Sequence, residues 1–158
     1  PFDDSSRVYS DDNTSRIHYL LSRQVAVSAG EYLYRQHEAS ATHRFDLRRL
    51  DFLAANRSLR SLLERYQANT DILTACEEHC WRNFVGLYLE FRRQWAAFTP
   101  QEHQLIRLSF KESLQEMRPE RLPCALRWSP SWLFVRPFSL FVAYRQVLSV
   151  LKKILKPF

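Results

Sequence analysis

The sequence predicts an all-α protein: an irregular bundle of four to five helices with an extended N-terminal arm and an irregular segment rich in proline and tryptophan. Glycine occurs only at Gly30 and Gly86, whereas β-hairpins and sandwiches need glycine at turns with positive φ. Long stretches place apolar residues every three or four positions, which is the spacing of one helix face. The chain of 158 residues is long enough to bury a core without staples.

The first part of the chain is predicted to be an arm followed by a helix. Residues 1–15, PFDDSSRVYSDDNTS, are polar and acidic and favour an extended arm. Asn13 or Thr14 could cap the next helix, which we expect over 16–36. A polar link over 37–43 follows it. The apolar face of this helix consists of Ile17, Leu20, Leu21, Val25, Tyr32 and Leu33.

A second helix is predicted over 44–67, with an apolar face and an arginine-bearing face. The opposite, polar face carries Arg57, Arg60, Glu64 and Arg65. Arginines on a helix can contact nucleic-acid phosphates, so RNA contact is expected as an alternative role of Arg48, Arg49, Arg57 and Arg60. Interspersed acidic residues favour a solvated, ion-paired face instead.

Two more helices complete the predicted core domain, residues 16–118. The third, over 70–98, has apolar residues in one stripe over seven turns, with Asn69 or Thr70 as its cap. The fourth begins at Thr99-Pro100-Gln101-Glu102, a capping box with proline at the first helical position, and ends before the next proline.

One cluster in the third helix has the residue types of a metal site. Cys76, His79 and Cys80 fall within about a quarter turn of each other on a helix. Zinc prefers four such ligands, and Cys124 or His103 could supply the fourth. Both cysteines of the cluster also lie on the apolar stripe, where free cysteine behaves as a small buried hydrophobe. We therefore expect core cysteines, no bound metal and no cofactor.

Residues 119–137 are predicted to form an irregular docking segment. Four prolines in this stretch exclude a long helix. The segment is nevertheless apolar and must be buried against another surface. Trp128, Trp132 and Phe134 are its expected contact residues, because aromatic side chains are enriched in interface cores.

Residues 138–158 are predicted to form an amphipathic, basic C-terminal helix, helical over 138–155. Phe141 and Leu148 lie on its wide apolar arc, and Arg145, Lys152 and Lys153 lie on a narrow polar strip. The pattern is typical of a helix held between its own core and a partner protein, or alternatively of one lying on an anionic membrane surface. The apolar stretch is too short and too charged to span a bilayer.

Composition and motifs together predict a non-catalytic protein. The formal net charge is +6, aromatics make up 14% of the chain, and no nucleophile elbow or phosphate-cradling glycine loop is present. We expect a structural or accessory subunit of a larger multiprotein complex, with an RNA-binding subunit of a ribonucleoprotein such as a mitochondrial ribosome as the alternative. Three cysteines without a disulfide framework predict a reducing intracellular compartment. Arginine bias and the start at Pro1 suggest a processed mitochondrial protein or a piece of a longer chain.

Overall fold

The computed structural model of the protein describes residues 9–27, 29–30, 45–127 and 138–154. Every regular element within these ranges is helical, which confirms the predicted all-α fold. The α-helices of these ranges are α1 (Ser10–Leu21), α2 (Asp51–Arg65), α3 (Thr70–Arg93), α4 (Pro100–Gln115), α5 (Cys124–Arg127) and α6 (Phe138–Ile154). Short 3-10 turns lie at Leu47–Leu50, Trp95–Ala97 and Pro119–Arg121.

Helix α3 is the centre of the structure, because its buried residues recur every three or four positions along 24 residues. Asn69 caps its N-terminus: the side-chain oxygen accepts the backbone N–H of Ile72 at 2.9 Å. The prediction of one helix over 70–98 is wrong at its C-terminal end. Helix α3 stops at Arg93, and the chain tightens into the 3-10 turn, which keeps Phe98 packed against the core.

The main core lies between α2, α3, α4 and α6 and is built on aromatic rings. The ring centroid of Phe110 lies 5.2 Å from Phe84 and 5.5 Å from Tyr88, both nearly perpendicular. Phe141 of α6 lies 4.9 Å from Tyr88. Each such pair contributes about 0.5–1.5 kcal/mol beyond its area burial. Phe141 was predicted as a partner contact, and that prediction is wrong: it is fully buried and anchors α6 on the chain's own core.

A second, smaller core joins α1 to α2 and α3. Ile17 of α1 packs there with Leu59 and Leu63 of α2 and with Cys76 and Cys80 of α3. Its members are aliphatic or sulfur-containing, in contrast to the aromatic main core. The apolar contact of helix α1 with the bundle therefore centres on one deeply buried isoleucine with partly buried neighbours.

The predicted boundaries of the first helix are wrong at both ends. Helix α1 begins at Ser10, inside the stretch predicted as an extended arm, and ends before Ser22, whose backbone is extended. Asn13 does not cap this helix. Its buried side-chain amide donates to the carbonyl of Ala55 at 2.8 Å, a contact 42 residues away in sequence. This long-range hydrogen bond holds Asn13 against α2 and favours a helical conformation in the acidic stretch that was predicted to be an extended arm.

The second predicted helix, over 44–67, divides into two elements. The Asp46 side chain accepts the backbone N–H of Arg48 at 2.9 Å and begins the 3-10 turn. Helix α2 then starts at Asp51 and ends at Arg65. Gln67, with φ of 52°, takes the left-handed conformation that turns the chain toward α3.

Helix α4 confirms its predicted start. The backbone N–H of Glu102 donates to the Thr99 hydroxyl at 3.3 Å, and the backbone N–H of Thr99 donates to the Glu102 carboxylate at 2.7 Å. These reciprocal bonds satisfy two backbone donors that a helix start leaves open. They also hold the pKa of Glu102 below its ordinary value, since both the backbone N–H and the hydroxyl of Thr99 donate to the carboxylate.

The proline-rich segment is more ordered in its first half than predicted. Within 119–127 the chain forms a 3-10 turn and the one-turn helix α5, and Leu122 is buried in the main core. Prolines at the start of short helical turns explain this, because proline suits the first helical position. Trp128, Trp132 and Phe134 lie outside the described residues, so their interface role stays a prediction.

Helix α6 confirms the predicted C-terminal helix over its described residues, Phe138–Ile154. It docks on the main core through Phe141, with Val142 partly buried beside it. Among the described residues, no helix combines the length and the apolar character that crossing a bilayer requires.

Candidate binding surfaces

The cysteine cluster of α3 belongs to the core. The Sγ atoms of Cys76 and Cys80 lie 4.0 Å apart and both side chains are buried, which confirms their predicted place in the packing. His79 is partly buried, and its Nε2 lies 3.0 Å from the side-chain nitrogen of Asn83. The described residues contain no group of three His, Cys, Asp or Glu side chains arranged to hold a metal ion.

The two thiols of this cluster differ in acidity because they share one hydrogen bond. The hydrogen bond with Cys80 lowers the pKa of the Cys76 thiol, and the guanidinium of Arg60 supports the same direction. The same bond, together with burial, raises the pKa of Cys80 far above its ordinary value. Cys76 and His79 line an apolar groove of about 450 Å³, whereas Cys124 is exposed on α5.

A buried ion pair that the sequence analysis missed ties three parts of the chain together. Glu77 is only 1% exposed, and its Oε2 accepts from Nε of Arg60 at 3.0 Å. Its other oxygen, Oε1, accepts the backbone N–H of Arg118 at 2.9 Å. One carboxylate of α3 therefore braces α2 and the link after α4.

The prediction that Arg60 lies on the exposed face of its helix is wrong. Leu53, Asn56, Arg60 and Leu63 are spaced by three, four and three residues, and all four are buried. This spacing was the signal that could have placed Arg60 inside. The carboxylate of Glu77 offsets the desolvation cost of burying the Arg60 guanidinium.

The other arginines predicted to contact RNA also face carboxylates. Arg48 lies 2.6 Å from Asp46, and Arg57 lies 2.7 Å from Glu116. Arg49 approaches Glu90 at 3.7 Å. These cations lie opposite carboxylates within the chain, as the ion-paired interpretation of the helix expects.

A groove of about 540 Å³ lies between α3, α4 and α6. Its floor is apolar and is formed by Tyr88, Phe91, Ile106, Phe110 and Val142. Ser139 and Gln146 of α6 supply the neutral polar groups of the wall. The volume falls within the range of small-molecule sites, about 300–1,000 Å³.

The rim of this groove is cationic. Arg92 of α3 and Arg107 and Lys111 of α4 line it, and no carboxylate of the described residues does. Within the described residues none of these three forms an ion pair. Arg107 lies 5.5 Å from the ring centroid of Trp95, also in the lining. Arg107 and Lys111 are like charges four residues apart, which destabilises a helix by about 0.2–0.5 kcal/mol.

The positive field reaches the interior of the groove. Burial raises the pKa of the Tyr88 hydroxyl, and the guanidinium groups of Arg92, Arg145 and Arg107 oppose that rise by favouring a negative charge there. An anion entering the groove therefore meets the three cations of its lining, Arg92, Arg107 and Lys111.

The outward face of α6 is apolar, as the wide apolar arc predicted for this helix implies. Leu140, Val147, Val150 and Leu151 are 44–57% exposed. Arg145, predicted on the polar strip, is partly buried instead, and its guanidinium carbon lies 5.6 Å from the ring centroid of Phe141. The reason is helical spacing: Arg145 follows Phe141 by four residues and shares its inward face.

The remaining predicted contact residues of α6 are only partly located. Leu148 is partly buried. Lys152 and Lys153 belong to the helix, but their side chains lie outside the described part.

Comparisons with protein-family models, with curated proteins and with solved structures each return no match for this chain.

Proposed function

We propose that this protein is a non-catalytic accessory subunit of a larger multiprotein complex and that the outward face of α6 binds an acidic amphipathic helix of another subunit. The observation that carries the proposal is the apolar face of α6, exposed on a helix already anchored by Phe141. Isolated exposed apolar residues are common, whereas a continuous patch marks an interaction site. A helix laid against such a patch is a frequent mode of recognition.

The geometry of the patch suits a helical partner. Leu140, Val147 and Leu151 follow one another by seven and four residues, which places them in one row along α6. Val150 widens the row. Completing the burial of these half-exposed side chains would contribute roughly 1 kcal/mol each.

Charge supports an acidic partner. Residues 138–154 contain no aspartate or glutamate, and Lys152 and Lys153 lie near the C-terminal end of the helix. Complementary charge of this kind sets orientation and accelerates association.

Two alternative functions, RNA binding and enzymatic catalysis, receive less support. The arginines that could contact RNA face carboxylates of the same chain, which favours protein docking. The buried carboxylate of Glu77 is engaged by Arg60 and by a backbone N–H, so it acts as a structural brace instead of an acid–base group. A mitochondrial complex is kept as the proposed setting, on the arginine-rich composition alone.

Site-specific photo-cross-linking tests the proposal. A photoreactive residue replaces Val147 on α6 in cells that make the protein, and a matched variant carries it at Leu108, a similarly exposed position on α4. We expect the α6 probe to capture one protein segment with acidic residues and helical apolar spacing. A synthetic peptide of that segment should bind the purified chain more weakly as salt is raised.

Other outcomes contradict the proposal. Capture of RNA or lipid at Val147 would show that the outward face of α6 binds that molecule instead of a protein. A captured segment without acidic residues would remove the charge argument. Identical captured proteins at Val147 and Leu108 would show that the α6 face is not a specific surface.

A further inference from the structure

We infer that the groove between α3, α4 and α6 binds a small amphiphilic anion, a single acyl chain that ends in a carboxylate. This site is separate from the surface in the proposed function, because it uses Ser139, Val142 and Gln146 of α6 and not the outward row. One of the two sites can therefore fail without the other.

The floor of the groove is suited to a hydrocarbon chain. The partly buried side chains of Trp95 and Val142 present accessible apolar surface in the groove, and Phe91, Ile106 and Phe110 pack beneath them, almost fully buried. Helices form three of its sides, and the space of about 540 Å³ would hold only about one turn of a helix with side chains, whose diameter is about 10–12 Å. A slim flexible chain is the occupant that fits.

The rim selects a negative head group. Arg107 and Lys111 project from α4 at i and i+4, and Arg92 projects from α3 into the same lining. Like charges held together without a carboxylate between them repel, and an anion placed among them removes that repulsion. Guanidinium groups bind carboxylates with two parallel hydrogen bonds, and ammonium groups bind them as point charges.

The neutral polar groups complete the specificity. Ser139 and Gln146 each provide a hydrogen-bond donor to the wall beside the apolar floor. A few directed polar groups in a mainly apolar pocket are the usual composition of a ligand site. A head group at the cationic rim with its chain along Val142 and Trp95 satisfies both kinds of surface.

Titration calorimetry with dodecanoate, below the concentration at which it forms micelles, tests the inference on the full chain. We expect saturable binding at one site and at least tenfold weaker binding of dodecanol, which has the same chain without the charge. The double variant Arg107→Gln, Lys111→Gln should weaken dodecanoate binding about tenfold, as expected for two partly screened charges. Its matched control is Arg93→Gln, an exposed α3 cation outside the lining, which should change nothing.

A steric pair of variants makes the test independent of charge. Ser139→Trp places an indole at the wall and should abolish dodecanoate binding, whereas Ala143→Trp, at an exposed α6 position outside the lining, should not. All substituted positions are exposed, so the fold is retained, and circular dichroism confirms it. Equal affinity for dodecanol, non-saturable binding, or equal effects of variants and controls would overturn the inference.

Discussion

Removal of the Glu77 carboxylate should destabilise the protein more than any surface substitution. In Glu77→Ala the guanidinium of Arg60, 7% exposed as a side chain, keeps its charge but loses its carboxylate partner. The backbone N–H of Arg118 loses its acceptor at the same time. A buried charge without a partner carries a desolvation cost that the folded state no longer offsets.

The magnitude follows from the burial of both partners. Breaking a buried ion pair by removing one member costs about 3–5 kcal/mol. A domain of this size has a total stability of about 5–15 kcal/mol, so the variant loses a large share. At about 2–4 °C per kcal/mol for chains of roughly 150 residues, the midpoint of thermal unfolding should fall by roughly 6–20 °C.

Urea unfolding followed by far-ultraviolet circular dichroism measures this loss. The matched control is Glu78→Ala, one residue away on the same helix. Glu78 pairs with Arg82, whose side chain is 70% exposed, and such a surface pair contributes about 0.3–0.5 kcal/mol. The double variant Arg60→Met, Glu77→Leu should recover most of the lost stability, because it leaves no unpaired charge in the core.

The reasoning is refuted if Glu77→Ala costs no more than Glu78→Ala. It is also refuted if the double variant is as unstable as Glu77→Ala, because the loss would then come from packing or from the Arg118 N–H instead of the unpaired guanidinium.

Three further predictions concern local features. Thr99→Ala should lower the free energy of unfolding by about 1 kcal/mol, since the α4 N-cap is lost; an unchanged urea midpoint would contradict this. Burial of the imidazole, and to a smaller extent the positive charge of Arg16, lowers the pKa of His79 below its ordinary value of 6.5. Stability should therefore decrease as pH falls from 6.5 through the lower folded-state pKa, and urea titrations should show a smaller decrease in His79→Gln. N-ethylmaleimide should label Cys124 first and Cys80 only on unfolding; mass spectrometry showing equal rates would contradict the burial of the α3 thiols.

The features that could be predicted from the sequence are local ones. The stripe of α3, the capping box at Thr99 and the start of α6 depend on residues within a few positions of each other. Helical spacing and caps record such interactions directly in the sequence. The core position of Cys76 and Cys80 followed from the same stripe.

The features that could not be predicted depend on distant partners. Glu77 meets Arg60 across 17 residues, and Asn13 meets Ala55 across 42. A polar residue looks solvated in sequence until its buried partner is known, because its partner offsets the cost of burial. The prediction that Arg145 lies on the polar strip failed for a related reason. Only the docking of Phe141 determines which side of α6 faces the core.

The cationic groove combines both kinds of information. Arg107 and Lys111 are visible in sequence as a like-charged i, i+4 pair on α4. Their convergence with Arg92 of α3 and with the wall of α6 requires the packing of three helices. The sequence supplied the residue types, and the tertiary structure placed them around one apolar floor.

The most direct test of the central claim compares two matched double variants in native cells. Val147→Gln, Leu151→Gln removes apolar surface from the outward face of α6, and Leu105→Gln, Leu108→Gln removes a similar exposed surface from α4. Each variant is purified under native conditions, and co-purifying subunits are quantified by mass spectrometry. The account predicts that the α6 variant loses a stoichiometric partner that the α4 variant keeps. Retention of the same subunits at the same stoichiometry in both variants would contradict it.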